Sequence, residues 1–327
     1  MKLGFAGFEF VNHATHQRRY GTGRPVASTS GRPHQFYQRH QQPAVDTTDA
    51  LGWFIPRCRE LGFDAVEGDI TPYIGKPAEI DRIANLLAKH DIALSADFGD
   101  DLTNPTRPPS DFQTFADAAV QLGVQAIGIG GVPFSVNRFV DDPPFERQME
   151  MIRDGIRPWV EIAETAGLKL AYENHADYRV TDLMDHVVGP IGSPALGIKL
   201  DTGNCPLVIE DAVAAAEACV EVCYATHFKE MFISPVTPEG GLIRGAPLGR
   251  GHLCLDRVGE ILSHSPFADD LILAIEIGWM PPNEDYFEWL AESVAWCRST
   301  LGAYLAPFDA HATTATATAA TTGGTQA

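Results

Sequence analysis

At 327 residues, with 45% hydrophobic and 20% charged side chains, the chain can fill one large globular domain or two ordinary ones. Its formal net charge of −19 repels phosphate backbones and anionic membrane surfaces, which argues against nucleic acid as the partner. The six cysteines form no C-x-x-C pair, the N-terminal stretch MKLGFAGFEFVNH is too interrupted for a signal peptide, and no run approaches the roughly 18 apolar residues of a membrane span. The sequence therefore predicts a soluble cytoplasmic protein with reduced thiols.

The first predicted strand, KLGFAGFEF (2–10), leads into a stretch, 11–45, without Asp or Glu. That stretch holds Arg18, Arg19, Arg24, Arg32 and Arg39 with His13, His16, His34 and His40, a sharp asymmetry in so acidic a chain. It reads either as a surface loop or as a lid or docking surface for an acidic subunit or substrate. Further strands follow in AVEGDI (65–70), ALSADFG (93–99) and QAIGIGG (125–131). The second half adds KLAYENH (169–175), LGIKLDTGN (196–204), VCYATHFKE (222–230) and LILAIEIGW (271–279). A helical segment follows almost every strand, the last near 284–301. Ile80, Ile83 and Leu87 mark one helix; Met149, Ile152, Ile156, Trp159 and Ala163 mark another, in which Pro158 predicts a kink. Gly62, Gly123 and Gly167 stand between helix and strand, where a helix end favours a left-handed residue.

Eight such units in roughly 300 residues predict an α/β fold, a single-domain (β/α)₈ TIM barrel. Its expected span is 1–306, with 11–45 inserted after strand one and a low-complexity, disordered tail over 307–327. An open doubly wound sheet is the alternative, but neither a G-x-G-x-x-G turn nor a Walker A motif supports nucleotide binding there.

Strand five ends on Glu173, strand six on Asp201, strand seven on His227 and strand eight on Glu276. In a barrel these ends are neighbours around one mouth. Three carboxylates and an imidazole there supply donors for a divalent metal, Mn²⁺ foremost, with Mg²⁺, Co²⁺ or Zn²⁺ as alternatives. Without a cation the carboxylates would repel one another. Read singly, each residue also suits a cap or turn.

The motifs YENH (172–175), LDTGN (200–204), HFKE (227–230) and IEIG (275–278) resemble those of the xylose-isomerase-like TIM barrels. The sugar isomerase/epimerase group of that family is the nearest in pattern; it includes ketose 3-epimerases, hydroxypyruvate isomerase, inosose dehydratase and endonuclease IV. The resemblance covers roughly residues 1–306. It implies Glu173, Asp201, His227 and Glu276 as metal ligands, and Glu173 and Glu276 as an acid/base pair. The implied activity is metal-dependent isomerisation or epimerisation of a sugar, ketose or keto-acid through proton abstraction beside a metal-bound carbonyl. A lyase using the same enolisation is the alternative, either inosose dehydratase-like or the catalytic subunit of a C-glycoside deglycosidase acting on 3-keto-glycosides. An endonuclease IV-like phosphodiesterase ranks lower because of the acidic charge.

Ketose epimerases commonly carry His three residues after the metal Asp, where this chain has Asn204, an amide that orients but cannot titrate. His175 shares a strand side with Glu173 and reads as a replacement base, a substrate contact or a capping residue. Lys199, two residues before Asp201, points into the barrel as a salt-bridge partner or a substrate-binding lysine. Arg250, with Arg244 and His252 in the glycine-rich stretch 239–256, is a substrate-binding candidate. Glu67, Asp69 and Asp97 face the same mouth as partners for sugar hydroxyls or as caps, and Trp279 and Trp53 as an apolar wall. The expected partner is a small carbohydrate, with neither nucleic acid nor membrane; a second copy of the chain or a small partner subunit is left open.

Overall fold

A computed structural model describes residues 1–7, 49–99, 101–103, 109–132, 136–234, 242–281 and 284–308, together with the short paired stretches 26–27 and 33–34. The basic insertion, apart from those stretches, and the tail beyond 308 lie outside the described residues.

Eight strands make one sheet: β1 (Lys2–Phe5), β2 (Ala65–Glu67), β3 (Ala93–Gly99), β4 (Ala126–Gly130), β5 (Lys169–Glu173), β6 (Leu196–Asp201), β7 (Cys223–Phe228) and β8 (Ile272–Ile275). All pair in parallel with their sequence neighbours, and β1 pairs with β8 from Lys2 opposite Ile272 to Phe5 opposite Ile275. Between β1 and β2 the ring is completed more sparsely. A parallel bridge joins Ala6 to Glu67, and the Asp64 amide donates to the Leu3 carbonyl at 2.8 Å. The result is the predicted TIM barrel.

The helices between strands are α1 (Ala50–Cys58), α2 (Pro77–His90), α3 (Pro109–Gln121), α4 (Phe145–Ala166), a broken helical run α5 (180–191), α6 (Ala212–Cys219), α7 (Leu255–Leu262) and α8 (Tyr286–Thr300). Strand periodicity sorts the side chains. Leu170, Tyr172, Ile198 and Leu200 turn outward into the main core beneath the helices, while the alternate residues Ala171, Glu173, Lys199 and Asp201 face the barrel interior. Gly167 closes α4 with φ of 71° and Gly123 closes α3 with φ of 74°, conformations a side chain would strain. The helix α4 runs uninterrupted across Pro158.

Two departures from the sequence reading bear on function. The expected second strand stops at Glu67, and Asp69 Oδ1 instead accepts the Thr71 amide at 2.8 Å, capping a short turn. The expected seventh strand stops at Phe228 because the Lys229 amide leaves the ladder and donates to Thr202 Oγ1 at 2.9 Å. The chain then forms an unforeseen antiparallel hairpin, Glu230–Ile233 with Ile243–Ala246, above the strand end.

Candidate metal centre

The C-terminal ends of the strands open into a cavity of about 710 Å³. Its floor carries Glu67 from β2, Asp97 from β3, Glu173 from β5, Asp201 from β6, His227 from β7, and Glu276 immediately after β8. The His227 ring is the pivot. Its Nδ1 lies 3.3 Å from Glu173 Oε1, 3.0 Å from Glu276 Oε2 and 3.8 Å from Asp201 Oδ2. Its Nε2 lies 2.7 Å from Glu67 Oε1. The structure thus brings together all four residues expected as metal ligands.

The two nitrogens have different work. An Nε2–H donated to Glu67 leaves the Nδ1 lone pair facing Glu173, Asp201 and Glu276, the tautomer that a metal at that edge requires. Glu67, expected to touch substrate, is buried in the cavity floor with Oε1 against His227 Nε2. Glu67 is in turn held by Lys199, whose Nζ lies 2.9 Å from Glu67 Oε2 and 2.5 Å from Asp97 Oδ2.

Asp201 is fixed from four sides. Its Oδ1 accepts the amides of Gly203 at 2.8 Å and Asn204 at 3.2 Å. Its Oδ2 accepts Asn204 Nδ2 at 2.7 Å and Lys229 Nζ at 2.9 Å. Asn204, another expected substrate contact, therefore turns its amide to a candidate ligand. Lys229 also reaches Glu276 Oε1 at 2.9 Å, so one ammonium spans two of the candidate ligands.

Electrostatics follow from this crowding. Burial would raise the Glu67 carboxyl, but the charges of His227 and Lys199 outweigh it and bring it down to about 2. The same two groups hold Glu173 well below the ordinary range against its burial. Asp201 goes the other way: burial, only partly offset by Lys229, pushes it up to about 6. Burial and the neighbouring Glu67 charge push Asp97 up to about 6 as well. His227 is raised well above its usual value because the surrounding carboxylates, Glu67 foremost, overcome its burial.

Five carboxylates here face two ammonium groups and one imidazole, so anionic charge is in excess even when the ring is protonated. Glu276 Oε2 is buried and has no hydrogen-bond donor among the described residues, although it points at the edge of His227. Ligand atoms of Glu173, Asp201 and His227 lie within 4.8 Å of one another. A donor-less buried oxygen, an excess of anionic charge and a mixed oxygen and imidazole donor set together fit a divalent cation.

Other expected residues sit elsewhere. His175 is exposed and lines the same cavity as Trp279. Arg250 does not join them: it is exposed and pairs with Glu292 at 3.0 Å. The Arg244 guanidinium lies 4.9 Å from the Phe232 ring, and His252 Nδ1 accepts the Ile233 amide at 3.0 Å, so both serve the hairpin. Trp53 packs on Phe54 and Arg57.

Three residues that shape the centre were given no role from sequence. Lys229 had a legible signal, since it follows His227 by two and so shares its side. Asn174 is fully buried because its amide pairs with Asp201 twice: Oδ1 accepts the Asp201 N–H at 2.7 Å and Nδ2 donates to the Asp201 carbonyl at 3.0 Å. Glu230 accepts the amides of Met231 at 3.0 Å, Leu253 at 3.1 Å and Gly249 at 3.2 Å, which ties the 249–253 loop to the strand end.

Residues 55–300 match the model of the xylose isomerase-like TIM barrel family. The chain belongs to that family. Its fold is similar to that of a D-psicose 3-epimerase of Clostridium cellulolyticum H10 solved with D-tagatose. The identity is 16% and the TM-score 0.58, over 79% of this chain and 94% of the other. A xylose isomerase-like TIM barrel protein of Mycobacterium smegmatis in complex with magnesium is 17% identical, with a TM-score of 0.59 over 88% of this chain and 96% of the other. A probable 3-DHS dehydratase of Bacillus anthracis is 13% identical, with a TM-score of 0.59 over 90% of this chain and 98% of the other. Comparison with curated proteins finds no significant match. Among the described residues, no helix of this xylose isomerase-like barrel is long and apolar enough to cross a membrane.

Proposed function

We propose that the protein is a divalent-metal-dependent isomerase or epimerase of a sugar, ketose or keto-acid, with Glu173, Asp201, His227 and Glu276 holding the ion. The observation that carries this reading is the convergence of three carboxylates on the Nδ1 edge of one buried histidine, at the floor of a cavity large enough for a sugar. When bound, the metal would supply a Lewis acid for a substrate carbonyl and its adjacent hydroxyl.

The chain's own residues do the proton work. Glu173, kept anionic by His227 and Lys199, is the base that takes the proton from the carbon next to the carbonyl. Glu276, across the cavity floor, returns a proton to the other face, or to the neighbouring carbon in an isomerase. Lys229 grips Glu276 Oε1 and fixes which oxygen is presented. Asn204 and Lys229 keep Asp201 from rotating, and Glu67 keeps the His227 tautomer. Trp279, exposed at the mouth, offers an apolar wall to a sugar ring.

A lyase outcome is the second reading. Asn204 supports it, because an amide at that position removes a titrating group expected of ketose epimerases, while His175 on the cavity wall is placed to protonate a leaving group. Elemental analysis of the purified protein followed by proton exchange in D₂O with a panel of keto-sugars tests both. Exchange without elimination, abolished in E173Q and E276Q, is the expected result; release of water or an aglycone selects the lyase. Absence of bound metal, or exchange unchanged in both variants, overturns the proposal.

A further inference from the structure

Lys199 is not one of the four candidate ligands, yet its charge is fully buried, with a side chain 0% exposed. Replacing a buried ion pair by apolar groups is often neutral or stabilising, so a retained one asks for a reason. Its surroundings supply one. Glu67 and Asp97, with the Nε2 edge of His227, form a second group whose ligand atoms lie within 4.8 Å of one another, on the side of the imidazole opposite Glu173 and Glu276. The Lys199 ammonium sits in that group, 2.9 Å from Glu67 and 2.5 Å from Asp97.

Room for it is built into the neighbouring strand. A Cβ at Gly128 on β4 would overlap Asp97 Oδ1 and come within 3.0 Å of the Lys199 stem. Asp97 Oδ1 is itself buried without a hydrogen-bond donor among the described residues, so the ammonium leaves one oxygen of this group unused. A dication with several open coordination positions could engage it where a single ammonium does not.

We infer that Lys199 is a built-in cation that closes a second dication site formed by Glu67, Asp97 and the Nε2 of His227, a ring that would release its Nε2 proton to solvent and bridge the two ions as imidazolate, and so restricts the centre to a single metal ion. The inference rests on the one-ion reading above and deepens it. The side chain takes the place of a hard or borderline divalent cation, of the class that carboxylates and imidazole bind.

The test is K199M, which keeps the apolar stem and removes the charge, with Mn²⁺ as the probe. Metal content per chain is measured after dialysis, by calorimetric titration, and by electron paramagnetic resonance, which separates isolated Mn²⁺ from a spin-coupled pair. The expected result is one ion in the wild type, two coupled ions in K199M, and one again in K199M/D97N. A K199M chain that folds only when Mn²⁺ is present also supports the inference, because the metal then replaces the missing charge. K199M carrying the same number of ions as the wild type, or unfolded at every Mn²⁺ concentration, overturns it. A wild type without metal instead overturns the proposed function, so the two failures are distinguishable.

Discussion

Asn174 provides the sharpest test of how the centre is held. N174L keeps the side-chain size and removes both polar atoms, which in the wild type accept the Asp201 N–H at 2.7 Å and donate to its carbonyl at 3.0 Å. The carbonyl keeps a second donor, the Asn204 amide at 3.3 Å, so its loss is about 1 kcal/mol. The N–H is left buried and unpaired, which costs roughly 1–3 kcal/mol. Together N174L should lose about 2–4 kcal/mol, which lowers Tm by about 3–6 °C in a domain of this size. Because the same amide fixes the backbone beneath a ligand, Mn²⁺ affinity should fall by about 10–100-fold, the usual effect of losing an outer contact to a metal ligand. N174D is the companion: it keeps an acceptor for the N–H but sets a carboxylate oxygen against the Asp201 carbonyl, and should be no better. Thermal unfolding and calorimetric titration give both numbers. An N174L protein with wild-type Tm and wild-type Mn²⁺ affinity would refute the reasoning.

Mn²⁺ binding should strengthen as pH rises. Asp201, pushed up to about 6 by burial, and His227, raised by Glu67 and the other carboxylates, hold protons at low pH that a dication must displace. Affinity should therefore be weak below about pH 6 and binding at neutral pH should release protons. Titration in buffers of different ionisation heat checks this, and pH-independent binding without proton release would contradict it. G128A should destabilise the fold by about 1–3 kcal/mol, since its methyl group meets Asp97 and the Lys199 stem in a packed interior. An unchanged denaturant midpoint would show that the interior yields more readily than the geometry implies.

Much of this centre was legible in the chain itself. Gly123 and Gly167 mark helix ends because a left-handed residue is a local requirement. Glu173, Asp201 and His227 stand out because each ends or nearly ends an apolar strand run, and a period of two fixes which way they face. Those properties belong to a few consecutive residues, so the sequence by itself determined the barrel and the four candidate ligands.

Partners were decided only in three dimensions. Lys199 meets Glu67 across 132 residues of chain, and His227 meets Glu67 across 160. Strand periodicity sends each of these side chains inward, but only closure of the ring sets which one meets which across the interior. Glu67 read as a substrate contact, and its 2.7 Å contact with His227 Nε2 could be seen only in the closed ring. Arg250 read as a substrate-binding candidate or a surface charge and pairs with Glu292, because a glycine-rich loop has no period to fix a side chain's direction. Asn174 drew no role from sequence, because its place in the interior makes sense only once the neighbouring strand brings the Asp201 backbone to within hydrogen-bonding distance.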